Sequence, residues 1–147
     1  MAGGAASEVI FFIGAVLVST ALVGALASIS TDLSGSVQDR GRSLSKELST
    51  DIDIINDPNN MTTAPLTLYV KNTGSTNLHT SITDVMLDGQ ISGSLTYDVL
   101  NSTNDAIWKP ADVLKITVSD LSVASGDHRV RVVTEYGIED ELEFYKA

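Results

Sequence analysis

His79 and His128 are the side chains of this chain best suited to move a proton or hold a metal near neutral pH, and they lie far apart in the sequence. Each sits in a polar, turn-like stretch with no cysteine or second histidine at ligand spacing, so neither belongs to a recognisable zinc site or nucleophile–base pair. Asp51, Asp53 and Asp57, with Asn56 among them, are spaced somewhat like a calcium loop. They lack the central glycine and closing glutamate that such a loop requires, and the polarity of a strand and its turn explains them better. Carboxylate pairs for glycoside chemistry can be drawn from any chain with 19 acids, but nothing in the pattern predicts their burial or a cleft. The absence of cysteine removes disulfides and thiolate ligands together. The chain therefore reads as a non-enzyme, with no catalytic residue, metal or cofactor expected. Asn60 and Asn101 each open an Asn-X-Thr acceptor in a predicted loop and are candidate glycosylation sites.

The elements that hold these residues divide the chain in two. Residues 1–8 form a short tail, and residues 9–29 then run without a charge: Val9, Ile10, Phe11, Phe12, Ile13, Val16, Leu17, Val18, Leu22, Val23, Leu26 and Ile29 are set among small residues. At a rise of ~1.5 Å per residue such a helix spans roughly 30 Å, the thickness of a bilayer core. Ala25-Leu26-Ala27 imitates a signal-peptide cleavage motif, but no basic residue precedes the run and the run is long enough to span, so a retained anchor is expected. Glu8 stands at its edge. It reads either as an interfacial carboxylate meeting the positive end of the helix dipole or, after a cut behind Gly3, as a pilin-type glutamate meeting a neighbour's amine.

Past the bilayer, Leu33, Val37, Leu44 and Leu48 continue one apolar face among polar residues, which extends the helix as a stalk over residues 9–48. The stripe serves either packing on the chain's own domain or self-assembly. From residue 51 the period falls to two, in Ile52 and Ile54, then Leu66, Leu68 and Val70, then Leu114, Ile116 and Val118, then Val130 and Val132, then Ile138, Leu142 and Phe144. Asp88-Gly89 marks a hairpin turn, with Ile91, Leu95 and Tyr97 after it, and Trp108 reads as a core or edge-sealing residue. Roughly six to eight such strands predict an all-β, immunoglobulin-like sandwich over residues 51–147, making the chain α+β by segment. Acids exceed Lys plus Arg by 19 to 9 and are scattered singly, the pattern of a solvated surface that repels nucleic acid.

An uncharged N-terminal helix, a polar stalk and a small sandwich form the plan of archaellins and archaeal pilin-like proteins. The order of SEVIFFIGAVLVSTALVGAL, QDRGRSLSKEL, TDIDIINDP, LTLYVKNTGST and GDHRVRVVTEYGIEDELEF more closely resembles the archaellum accessory protein G family. That resemblance implies a stator: the helix in the cytoplasmic membrane, the sandwich outside between membrane and surface layer, and accessory protein F as partner, with the surface-layer protein a further contact. Apart from the resemblance, the expected docking mode of such a sandwich is addition of an exposed edge strand to a partner's sheet, as is common where β-domains assemble. The alternative is a filament subunit packed through its N-terminal helix, against which stands the lack of Lys or Arg before Gly3 and Gly4. A tethered solute-binding protein would need a pocket of convergent polar groups, and none can be named. Arg40, Arg42 and Lys46 follow the helix where basic residues favour the cytoplasm, a signal of only three charges that opposes the outward head.

Overall fold

A computed structural model describes residues 3–147. Its first element, α1 (Gly3–Leu48), is a single unbroken helix. Leu, Ala, Ile and Val dominate its first half, and several of its hydroxyl residues bond back to the helix backbone. Ser19, Thr20, Thr31, Ser34 and Ser36 each donate to the carbonyl four residues earlier, at 2.8–3.0 Å. These five hydroxyls are thereby satisfied within the helix. The helix starts at Gly3, ahead of the expected tail boundary, and Met1 and Ala2 lie outside the described residues. Its first turn holds no acid.

The chain forms two compact units, Met1–Arg42 and Ser43–Ala147. In the second, the last helical turn ends in a clasp. Thr50 Oγ1 donates to Lys46 O at 2.7 Å, Ser75 N–H donates to Ser49 O, and the N–H groups of Thr73 and Gly74 both donate to Asp51 O. A Cβ on Gly74 would stand 2.5 Å from Asp51 N and 2.6 Å from Ser49 O, so only glycine fits there.

Ten strands follow: β1 (Ile52–Ile54), β2 (Leu66–Asn72), β3 (Leu78–His79), β4 (Asp84–Leu87), β5 (Gln90–Ile91), β6 (Leu95–Val99), β7 (Ile107–Trp108), β8 (Val113–Val118), β9 (Gly126–Val133) and β10 (Glu139–Lys146). They build two antiparallel four-stranded sheets, ordered β1-β2-β8-β6 and β10-β9-β4-β5, with a β3-β7 ribbon beside them. The inward residues of both sheets share one core, the sandwich that the period-two runs predict. Leu66, Leu68, Val70, Leu114, Ile116, Val118, Val130 and Val132 are fully buried in it. Trp108 is also fully buried, its indole N–H donating to Asp112 O at 2.9 Å.

The hairpin at Asp88 and Gly89 forms with φ of +50° and +84°, the mirror-image turn whose twist suits antiparallel strands. It is shorter than its sequence suggests. β5 holds only two residues before the chain leaves for the other sheet, so Leu95 and Tyr97 belong to β6 beside β8. The departure is fixed by Asp120, whose carboxylate accepts from Ser92 Oγ and from the Gly93 N–H.

Candidate interaction surfaces

The apolar side chains expected to anchor the protein all lie on α1. From Val9 to Ile29 their exposure on the isolated helix runs from 47% at Val16 to 81% at Phe11, a cylinder suited to lipid or to other helices. Leu33, Val37, Leu44 and Leu48 are exposed as well. Glu8 is the sixth residue of the helix, past the first turn, so its carboxylate does not cap the helix N-terminus as the sequence suggested; it lies in a shallow recess with Phe11 and Phe12. Asn60 and Asn101 are exposed outside the strands.

Both histidines lie on strands rather than in turns, and each is tied to a carboxylate. His79 Nδ1 lies 3.1 Å from Glu135 Oε2. His128 is more enclosed: Nδ1 is 2.7 Å from Asp88 Oδ2 and Nε2 is 3.0 Å from Ala124 O, with the ring tilted against Phe144. Both nitrogens face acceptors, so the geometry suits the imidazolium. The Asp88 hydrogen bond accordingly raises the His128 pKa above its ordinary value. The Arg129 N–H, followed by the His128 ring, lowers that of Asp88. A depression of about 570 Å³ opens over Asp88, His128 and Phe144, where Asp88 and His128 are already spent on joining the β4–β5 turn to β9 and the 121–125 loop.

Two of the acids that resembled a calcium loop, Asp51 and Asp57, are likewise used by the fold, as is Asn56. Asp51 Oδ2 accepts from Thr73 Oγ1, Asp57 Oδ1 accepts from Asn59 N–H, and Asn56 bridges Tyr69 N–H and Thr67 O. Among the described residues, no group of three His, Cys, Asp or Glu side chains could hold a metal ion.

On the head, the rim of the sandwich is a further surface open to binding. The sheets end in four edge strands, β1, β6, β10 and β5. On β10 the outward Glu139, Glu141 and Glu143 pair across the strand with Arg129 and Arg131 at 2.8–3.4 Å. Asp140, facing β1, accepts the Ile54 N–H at 2.7 Å and closes that side of the sandwich. Sequence reasoning missed this latch, because an isolated acid beside a period-two run looks like any other surface charge.

A family model described as archaeal-type flagellin matches residues 2–144. The chain is 33% identical over 145 residues to a protein of Methanocaldococcus jannaschii provisionally named flagella-related protein G, covering 94% of this chain and 92% of that one. It is 32% identical over 144 residues to a protein of the same name from Methanococcus voltae, covering 94% of each. Among solved structures it is similar to the archaellum periplasmic stator protein FlaG of Sulfolobus acidocaldarius, with TM-score 0.48, 21% identity and coverage of 65% of this chain and 99% of that one. A stator complex of FlaF and FlaG from the same organism matches with TM-score 0.44 and 20% identity, over 63% of this chain and 87% of that one.

Proposed function

The chain belongs to the archaeal-type flagellin family, and from that premise we propose that it serves the archaellum as a membrane-anchored stator component. The observation that carries this reading is the likeness to flagella-related G proteins over nearly the whole chain, helix and sandwich alike. The physics agrees. A part that resists torque needs an anchor, a spacer and a binding head, and it needs no active site.

In this reading residues 9–29 cross the cytoplasmic membrane, the helix continues as a spacer to residue 48, and the head over residues 51–147 lies outside, between membrane and surface layer. Accessory protein F is its partner, surface-layer protein a further contact, and the sequons at Asn60 and Asn101 are open to glycosylation. The lack of native cysteine makes the topology testable. A single cysteine placed at the exposed Ser125 should react with a membrane-impermeant maleimide on intact cells. Labelling only after lysis, with the head folded, would overturn the outward orientation.

A second reading, a filament subunit packed through α1, is favoured by one observation: the matching family model is that of flagellins and extends across the helix. Filaments sheared from cells decide between the two. A stator stays with the membrane fraction, and its deletion leaves the filament protein made but the cells non-motile; a subunit copurifies with the filament.

A further inference from the structure

The four sheet edges are not finished alike. β5 has two residues and β1 three, and the Ile54 N–H of β1 is already taken by Asp140. β10 is long but carries the Glu–Arg ladder, the charged dressing that blunts an edge. β6 has no such protection along Leu95, Thr96 and Tyr97.

Two bonds bracket the β6–β8 ladder and set its phase, Leu100 N–H to Val113 O and Ser119 N–H to Ser94 O. Thr96 and Asp98 therefore bond toward β8, while Leu95, Tyr97 and Val99 turn their main-chain groups outward. Val99 is satisfied locally, its N–H by Asp105 Oδ1 at 3.0 Å and its carbonyl by Ser102 N–H at 3.1 Å. The outward N–H and C=O of Leu95 and Tyr97 have no protein partner among the described residues. The strand that carries them is held in place, because the Tyr97 hydroxyl donates to Thr83 O at 2.6 Å. Exposed carboxylates gather around this edge: Asp98 on the strand, Asp105 against Val99, and Asp84, which adds to the effect of burial in raising the Tyr97 pKa.

We infer that β6 is the docking edge for an extended strand of a partner β-domain, joined through the main-chain groups of Leu95 and Tyr97 and bearing lysine or arginine to face Asp84, Asp98 and Asp105. The occupant is a different protein rather than a second copy. Pairing β6 with itself would bring the same three acids together on chains that each carry a net charge of -10. This inference rests on the reading above, in which the head binds a partner, and adds where and by what chemistry.

Amide hydrogen exchange on the full chain in detergent micelles, with and without purified accessory protein F of the same organism, tests it. The Leu95 and Tyr97 amides should exchange rapidly in the protein alone and slow by at least ~10-fold in the complex, with the β10 amides unchanged. Binding accompanied by protection at β10 or β1 and none at β6 would overturn the edge assignment while leaving the partnership intact. No binding would overturn both. Protection of β6 in the absence of F, rising with concentration, would show a second copy as the occupant and also overturn the inference. Asp84→Lys combined with Asp98→Lys, both exposed, should weaken binding about 10-fold at low salt and less at high salt. Unchanged affinity would remove the basic strand from the proposal.

Discussion

At Asn72 three hydrogen bonds converge on one fully buried carboxamide: Nδ2 donates to Thr76 O at 2.8 Å and to Trp108 O at 3.2 Å, and Oδ1 accepts from Gly74 N–H at 3.1 Å. In the sequence this residue looks like the start of a turn after β2. Its burial could not be read there, because it depends on Trp108 arriving from a distant strand. Asn72→Ala should cost roughly 2–3 kcal/mol in chemical denaturation, since the carbonyls of Trp108 and Thr76 lose their donor, while the Gly74 N–H keeps Asp51 O; a loss below about 0.5 kcal/mol would mean that water replaces the amide without penalty. His128 and Asp88 form a second residue-scale device, with a calculable pH sign. The raised His128 pKa contributes stability that is complete below its unfolded value of about 6.5 and is lost as pH rises through the higher folded value. The lowered Asp88 pKa contributes stability present above about 3.9 and lost only as pH falls through its lower folded value. Between those limits the pair is fully formed. Melting temperature should therefore decline above pH 6.5 in the native protein, and Asp88→Asn, which keeps the left-handed turn, should lower stability by ~0.5–1 kcal/mol at pH 6 and flatten that decline. Equal pH slopes in the two proteins would show that the ion pair is not the cause.

Among the elements, those governed by a single repeated rule were legible. The charge-free run predicts α1, and alternation predicts β2, β8 and β9 with their inward faces, because a buried strand must show the same side every second residue. The short elements were not legible. β3, β5 and β7 contain two residues each, too few to show a period, and β6 was attached to the wrong neighbour because a turn motif says nothing of where the chain goes after two residues. The finish of an edge is invisible for the same reason, since it depends on which strand lies outermost. For α1, length and composition lead to a test of the anchor. Leu22→Arg, at the middle of the apolar run, should cost ~2.5–3.5 kcal/mol of insertion and shift the protein from the membrane fraction toward the soluble one. Retention as complete as in the native chain would show that something other than this helix holds the protein to the membrane.

For the molecule as a whole, the buried hydrophobic core among the described residues runs from Ile52 to Phe144, within the second unit. A fragment Ser43–Ala147 should fold alone, with a β-type circular dichroism spectrum and one cooperative thermal transition. A broad, non-cooperative melt would mean that the head requires the preceding helix. The acidic surface is equally a property of the whole: no local motif creates it, and it was readable from composition alone. The clasp between the last helical turn and the sandwich, inside the second unit, was not readable. Its backbone bonds from Thr73, Gly74 and Ser75 to Asp51 and Ser49 were hidden behind what looked like an ordinary turn. Main chain meets main chain there, with Gly74 as the spacer that has no thickness to spare. In mechanical terms this is a joint without backlash: no flexible side chain stands between the last helical turn and β2 to absorb displacement, so strain at one is felt at the other within a bond length. Gly74→Ala would insert a shim, and the Ser75 amide should exchange faster while those of β8 keep their protection.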